Sequence, residues 1–285
     1  MTVDLDKYVT RIGWAGDPAP TLDTLRSLHR AHVLAIPFEN LDVVAGGVPS
    51  LELGELQAKL VGSARGGYCF EQNSLFAAVL EELGFGVTRL TGRVRSGARP
   101  GEERPRTHMV LAVEVPGVEP SAEPGAESGA EGRHLADVGF GGPGALLEPL
   151  PMVPGRERAA SGRRHRLLLE EADGPAPVWV LQAHRDGEWA DQSSFTLDRT
   201  PAVDLRIGNW YTATHPRSPF HRLYVQRPLP TGEHLALDGS AFTRTAPDGT
   251  RTRREITHPD ALLELLETEF GITPPPGFRP AIDRA

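Results

Sequence analysis

The sequence predicts a mixed α+β fold with a helical N-terminal part, a central antiparallel sheet or barrel, and a C-terminal third that mixes strands with a helix. Apolar residues recur at helical spacing through the first eighty-odd of the 285 residues. From Gly86 onward, short β-branched stretches alternate and are separated by turn residues. A chain of this length is too long for one small core, so we expect two or three packed subdomains.

Three helical stretches are predicted in the N-terminal part. The first covers residues 21–34 and cannot run past Pro37, and the second covers residues 51–61. The third covers residues 70–83 and stops at Gly84, with Leu75, Phe76 and Val79 on one side. A further helix is predicted over residues 260–270, because Pro259 stands at its start and Gly271 just past its end.

Nine short strands follow the helical part, and their spacing favours an antiparallel sheet or barrel. Asp186-Gly187 and Asp248-Gly249 are typical of hairpin turns. Residues 116–133, PGVEPSAEPGAESGAEGR, lack periodicity and predict a flexible, solvated loop between two strands. The predicted strands cover residues 86–95, 107–115, 135–140, 166–170, 178–184, 194–197, 220–226, 234–237 and 241–245.

Composition narrows the possible partners and location. The net charge is −8, from 30 Lys+Arg against 38 Asp+Glu, which is the opposite sign to a generic nucleic-acid surface. No run approaches 18 apolar residues, and the N-terminus has no apolar signal-peptide region, so we expect neither a membrane span nor secretion. The single cysteine excludes an intrachain disulfide and a thiolate zinc site and fits a reducing cytoplasm. His29 and His32 lack further spaced ligands, so we predict no metal site and interpret them as structural or exposed.

Cys69 is the strongest candidate for a nucleophile. It lies in RGGYCFEQN, after a Gly-Gly turn and at the start of the third predicted helix. A cysteine at a helix N-terminus faces free N–H groups and the positive end of the helix dipole, both of which favour the thiolate. The alternative is a small buried apolar side chain, since free cysteines are among the most buried residues.

A cysteine nucleophile needs a base and a group that orients the base. His108 lies near the start of one predicted strand, and Asp137 near the start of another. Adjacent strands could present both side chains to one helix N-terminus. Each residue also has an ordinary interpretation: one of ten histidines packed in a strand, and a turn-forming aspartate before glycines.

Two further groups accompany these candidates. The glycines that follow Asp137, including Gly139, Gly141 and Gly142, lack a Walker lysine but could let backbone amides approach a phosphate or acyl oxygen; a plain turn is the alternative. Glu39 and Arg65 could form a partly buried ion pair, or remain two solvated charges.

The motifs IPFENLD, RGGYCFEQN, THMVLAV and ADVGFGG occur in this order, and NWYTATHPRSPFHR follows at residues 209–222. Together they resemble the arylamine N-acetyltransferases over about residues 5 to 225. The resemblance implies a helical first domain, a β-barrel second domain and an α/β lid. We therefore divide the chain into residues 1–85 with the nucleophile, 86–200 with the histidine and aspartate, and 201–285 as the lid.

The resemblance also implies roles for individual residues. It places the nucleophile at Cys69, the base at His108 and the orienting carboxylate at Asp137. Acetyl-coenzyme A would be the acyl donor, with no permanently bound cofactor, and aromatic amines, hydrazines or hydroxylamines the acceptors. It further implies that Phe38 and Phe140 line the acceptor pocket, that Gly139, Gly141 and Gly142 lie near the coenzyme, and that Glu39 pairs with Arg65. The long loop at 116–133 departs from the family pattern.

Other functions share these motifs. A cysteine hydrolase uses the same three side chains, and a related amide synthase would close a macrolactam from a carrier-bound polyketide. A catalytically silent binding protein is disfavoured by the intact Cys69, His108 and Asp137 set. The sequence leaves the preferred amine and the oligomeric state open, and a homodimer is one possibility.

Overall fold

The computed structural model describes residues 2–99, 101–117, 132–171 and 176–279. A π-helical turn at Gln57–Val61 continues α4, and a 3₁₀ turn covers Pro219–His221. No helix in the described ranges is both long and apolar enough to cross a bilayer. The α-helices are α1 (Leu5–Ile12), α2 (Leu22–Ala35), α3 (Leu41–Val44), α4 (Leu53–Leu56), α5 (Cys69–Glu82), α6 (Ala202–Thr214) and α7 (Pro259–Thr268).

The strands form two antiparallel sheets. The N-terminal strand is β1 (Phe38–Glu39). The middle strands are β2 (Gly86–Val94), β3 (His108–Glu114), β4 (Arg133–Ala136), β5 (Leu150–Pro151), β6 (Arg158–Ala160), β7 (Arg163–Glu170), β8 (Val178–Arg185) and β9 (Glu188–Phe195). The C-terminal strands are β10 (Tyr224–Pro228), β11 (His234–Asp238), β12 (Ala241–Thr245) and β13 (Arg251–Glu255).

Side chains cap the starts of two helices in the N-terminal part. The Thr21 side chain accepts the Thr24 N–H at 3.2 Å and starts α2, which ends before Pro37. At the start of α5, Glu71 reaches back to the Tyr68 N–H at 3.1 Å. The two helices share a buried cluster that includes Leu28 and Phe76, so the start of α5 is held rigidly against the core.

The middle of the chain is a nearly closed antiparallel barrel, which confirms the predicted class. The strand order is β5-β4-β3-β2-β9-β8-β7-β6. A bridge between Pro154, just beyond β5, and Leu167 of β7 brings the two ends of the sheet together. Strand β3 pairs with β2 on one side and β4 on the other, so His108 and the residues after Ala136 reach the same end of the barrel.

The second sheet has the order β1-β10-β11-β12-β13 and packs against α7. Phe38 and Glu39 of β1 pair with Gln226 and Val225 of β10, so a strand from the N-terminal part completes the C-terminal sheet. Buried residues cross the proposed boundaries in the same way, since Leu41 packs in the C-terminal core. The division at residues 85 and 200 stays a prediction.

Local predictions differ from the structure at several places, three of which have a clear cause. Helix α6 was not predicted, because its buried side includes the polar Asn209 and Thr212, whereas the apolar Val203, Ile207 and Trp210 are about 60% exposed. The predicted strand at 220–226 starts as a 3₁₀ turn, and β10 begins only at Tyr224. Strand β4 ends at Ala136 rather than residue 140, because the Asp137 carboxylate takes the Gly139 N–H and turns the chain.

Most of the predicted loop at 116–133 lies outside the described residues. Its flanks are described. Glu114 pairs with Arg133 across β3 and β4, and the Val115 N–H donates to Gly132 O at 2.9 Å. The segment therefore joins two neighbouring strands, as the sequence predicts.

Candidate active site

Cys69 is the first residue of α5, and its side chain is buried and unpaired with another cysteine. Its Sγ lies 3.7 Å from the carbonyl oxygen of Thr107, the residue before His108. The preceding turn passes so close to Pro37 that a Cβ on Gly66 would lie 1.9 Å from the Pro37 oxygen. Only glycine fits there, and this close passage places the thiol at the end of the barrel.

His108 and Asp137 form a buried pair beside this thiol. His108 Nε2 lies 2.6 Å from Asp137 Oδ2. The other carboxylate oxygen, Oδ1, accepts from Asn73 Nδ2 and from the Gly139 N–H, both at 3.0 Å. The carboxylate is therefore fully hydrogen-bonded in a site where an unpaired charge would be costly.

The charges in this pair support each other. Burial alone would lower the pKa of His108, but the Asp137 carboxylate and then the Cys69 thiol raise it to about 10. Burial would likewise raise the pKa of Asp137, but His108, Asn73 and the Gly139 N–H hold it below its usual value. The arrangement can keep a proton on the imidazole beside the Cys69 sulfur.

The Asn73 side chain links α5 to the strand of His108 and to the turn of Asp137. It lies one helical turn after Cys69, and its Nδ2 donates to Met109 O at 2.8 Å as well as to Asp137. Its Oδ1 accepts the Val138 N–H at 3.1 Å. Sequence analysis quoted this residue inside RGGYCFEQN but assigned it no role. The sequence signal that could have pointed to a role is its position four residues after Cys69, which places both residues on the same face of the helix.

Aromatic side chains line the space next to His108. The Phe140 ring meets the His108 ring edge-on at 5.5 Å. The backbone of Gly141 then lies against Phe38, where an added Cβ would be 2.5 Å from the ring. Phe38 contacts Phe220 and Tyr224, both at 5.8 Å between ring centres. The structure thus groups the two predicted pocket residues and adds two that the sequence did not suggest.

The predicted coenzyme glycines lie in the same place. A Cβ on Gly139 would be 2.6 Å from Cys69 Cα, so the turn after Asp137 passes directly over the start of α5. Gly142 lies beside Phe140. Contact with the chain itself already requires glycine at 139, and a role in holding a coenzyme remains a prediction for all three.

Comparison with known proteins decides the family. A model of the N-acetyltransferase family matches residues 21–275. The chain is 37% identical to an arylamine N-acetyltransferase of Escherichia coli (strain K12) over 95% of this chain and 90% of that one. The chain belongs to the arylamine N-acetyltransferase family. It is therefore an enzyme of the acyltransferase class.

Solved structures agree with this assignment. The arylamine N-acetyltransferase of Nocardia farcinica superimposes with a TM-score of 0.84 at 41% identity, covering 96% of this chain and 90% of that one. The Mycobacterium marinum structure in complex with CoA gives 0.83 at 35% identity, covering 95% and 93%. The predicted mixed fold and family are confirmed.

In this family member, Glu39 and Arg65 belong to a larger buried charge network. Arg65 Nε lies 2.8 Å from Glu39, and its Nη2 lies 2.7 Å from Asp42. Lys59 then joins Asp42 and Glu71, each at 2.6 Å. Because Glu71 also caps the helix that begins at Cys69, the network ties α5 to β1.

His29 and His32 are both fully buried, so neither is exposed. The Asp137 N–H donates to His29 Nε2 at 3.2 Å, and His32 lies between Tyr8 and Gln72. Burial is the main cause that lowers the pKa of His29 to about 4 and that of His32 to about 3. Both are neutral structural groups at pH 7, and His29 supports the backbone of Asp137.

Proposed function

We propose that this chain transfers an acetyl group from acetyl-coenzyme A to the nitrogen of arylamines, arylhydrazines or arylhydroxylamines. Its family membership supports an acetyl transfer of this kind, and a relative has been crystallised with CoA. The observation that carries the proposal is the buried Cys69, His108 and Asp137 group at the start of α5.

In the first half-reaction, the Cys69 thiolate attacks the acetyl carbonyl carbon, while His108 holds the proton. The first N–H groups of a helix have no partner within it, so those of Cys69 and Phe70 are placed to receive the oxyanion. The carbon–sulfur bond to coenzyme A then breaks, and the imidazolium donates its proton to the leaving thiolate. A thioester replaces a thioester, so the step is nearly balanced in energy.

In the second half-reaction, the amine nitrogen attacks the acetyl-cysteine, and His108 accepts its proton. The bond between the acetyl carbon and Sγ breaks, and the thiolate–imidazolium pair is restored. Asp137 fixes the ring orientation and balances its charge throughout. Phe38 and Phe140 are suited to hold the aromatic ring of the acceptor beside this carbonyl.

Both half-reactions use one site, so we expect ping-pong kinetics and an isolable acetyl-enzyme. The test is intact-protein mass spectrometry after incubation with acetyl-coenzyme A. We expect one added acetyl group, located on Cys69 by peptide mapping, and its loss when an arylamine is added.

The matched control is Cys69→Ser, which keeps the side-chain shape but replaces the sulfur. No adduct is expected in that variant under the same conditions. An adduct that forms elsewhere in the wild type, or that an arylamine does not discharge, contradicts the proposed intermediate.

A further inference from the structure

Two arginines lie at the paired ends of barrel strands β7 and β8, where the barrel contacts β11 of the C-terminal sheet. Arg163 lies at the start of β7, and Arg185 at the end of β8. Arg163 Nη1 donates to Ala145 O at 2.8 Å, and its Nη2 to His234 Nδ1 at 3.3 Å. His234 Nε2 in turn donates to Gln226 Oε1 at 2.7 Å, so His234 is neutral and adds no charge of its own.

Neither arginine has an ion pair with any carboxylate of the described residues. Glu188 is opposite Arg185 in the β8–β9 hairpin, but it is exposed and forms no ion pair with it. Asp238, on the neighbouring strand β11, is held by Arg222 at 2.7 Å. Half-buried guanidinium groups that lack a carboxylate are unusual, because leaving water is costly for an unpaired charge.

Arg163 and Arg185 are cross-strand neighbours, since Arg164 pairs with His184 in the β7–β8 ladder, and their charges act on the groups around them. Burial and then the charge of Arg185 lower the pKa of Arg163 to about 10. Burial, Arg163 and Arg185 together lower the pKa of His234 to about 3. Two like charges are therefore held close together in a partly dehydrated place, which is the situation that a bound anion relieves.

Hydrogen bonds and strand pairing connect the cationic pair to the aromatic side chains beside His108, because Gln226, which accepts from His234, is paired with Phe38. Arg185 also acts on the pKa of Tyr224, which burial raises. The Tyr224 ring packs edge-on against Phe38 at 5.8 Å, and Phe38 lies against Gly141, next to Phe140. Arg163 therefore contacts the same face of the C-terminal sheet as Phe38, which we propose holds the acceptor ring.

We propose that Arg163 and Arg185 form an anion site that binds an oxyacid group at the far end of a substrate. The inference rests on the proposed function, because it takes acetyl transfer at Cys69 as its reference. The shared chemistry is a carboxylate or phosphate. Its source is either a carboxylate that an acceptor carries on a spacer beyond its ring, or a phosphate of the acyl donor.

The experiment compares matched charged and neutral acceptors. The probes are 4-aminophenylacetate and 4-(4-aminophenyl)butyrate, each beside its own carboxamide, with steady-state kcat/KM as the readout. If the site binds an acceptor carboxylate, the wild type should show a kcat/KM for the acid about tenfold or more above that for its amide, for at least one spacer length. In Arg185→Gln the two kcat/KM values should become equal. Arg164→Gln is the control, because Arg164 lies on the same strand but pairs with Glu157.

The donor arm compares acetyl-coenzyme A with S-acetyl-N-acetylcysteamine, which has no phosphate. If the phosphate is the source, Arg185→Gln raises the KM for acetyl-coenzyme A relative to the KM for S-acetyl-N-acetylcysteamine by about tenfold. The acid-to-amide ratio of kcat/KM then stays as in the wild type. Because Arg163 also supports Ala145, Arg163→Lys is the second variant, with thermal melting to verify folding.

If Arg185→Gln changes neither ratio while the protein melts as the wild type does, the anion site is overturned. The proposed function fails separately, when Cys69 takes up no acetyl group or the neutral amides are not acetylated at all. The two failures are therefore distinguishable in one set of assays.

Discussion

His108 and His234 are both buried, at 2% and 4% exposure, yet their neighbours drive them to opposite charge states. Burial disfavours the charged ring in each. Beside His108, the Asp137 carboxylate overcomes that penalty and raises the pKa to about 10. Around His234, Arg163 and Arg185 add to the penalty, and the pKa falls to about 3. Equal burial therefore does not set the protonation states of these two histidines, whereas the sign of the nearest charge does.

A similar contrast in neighbouring charges separates Arg65 of the helical part from Arg163 and Arg185 of the barrel. Arg65 has Glu39 and Asp42 within hydrogen-bonding distance, whereas neither Arg163 nor Arg185 pairs with a carboxylate of the described residues. Paired buried charges hold helices and strands in position, since removal of one partner leaves the other uncompensated. Arg163 and Arg185, which lack a carboxylate partner among the described residues, can instead bind an anionic ligand. Four predictions test this difference.

The largest effect is expected for Asp137→Asn. The amide can still accept from Asn73 and Gly139, so the fold should persist, but the charge that holds the proton on His108 is lost. We expect the rate of Cys69 acetylation to fall by roughly 10³- to 10⁴-fold. Alkylation of Cys69 by iodoacetamide at pH 7 should slow as well, because less imidazolium means less thiolate. Turnover close to that of the wild type would place the orienting group elsewhere.

Glu39→Gln tests the paired network. Arg65 then keeps only Asp42, on the more exposed side, and a buried charge loses its main partner. We expect the free energy of unfolding in urea to fall by about 3 to 5 kcal/mol. Glu55→Gln is the control, because Glu55 is exposed and no ion pair holds it among the described residues; it should change stability by less than about 0.5 kcal/mol. Equal losses in both variants would contradict the comparison.

Asn73→Ser tests whether the Asn73 side chain positions the reacting groups. The Val138 N–H and Asp137 Oδ1 each lose a partner, and small displacements at such a site are costly. We expect kcat/KM to fall by about 10- to 100-fold. Asn73 helps to hold the pKa of Asp137 down, so the acid limb of the pH–rate profile should also move to higher pH. Ser74→Ala, one residue further along α5, should move neither the rate nor the limb.

The smallest effect is expected for His234→Gln. The folded-state pKa of His234 is depressed, so its contribution to stability is present above pH 6.5 and is lost as pH falls toward 3. Between pH 7 and pH 5 the contribution of His234 to the free energy of unfolding should fall by about 2 kcal/mol. The glutamine variant should therefore lose about 2 kcal/mol less than the wild type over this range. Urea midpoints at both pH values measure it, with exposed His258→Gln as the control. Equal losses in the wild type and the glutamine variant would mean that His234 does not make this contribution.

Much of the fold and the candidate centre followed from local signals. Thr21 and Pro37 bound α2, Gly84 follows the end of α5, and Asp186-Gly187 marks the β8–β9 hairpin. Capping groups, breakers and apolar periodicity act over a few residues, and a reader of the chain can therefore detect them. Cys69 at a helix start was visible for the same reason, as were His108 and Asp137 on strands that could be neighbours.

What the sequence alone determined was the fold class, most of the longer elements and the residues able to react. Tertiary structure decided which groups meet, such as Asn40 with the backbone of Arg222, Tyr68 with Asn209, and Arg163 with His234. The partners in these contacts lie 71 to 182 residues apart along the chain. No local preference specifies such contacts, because they form only when separately stable elements pack and bury their polar groups together. For that reason the paired charges around Arg65 and the unpaired charges of Arg163 and Arg185 could be told apart only in the folded molecule.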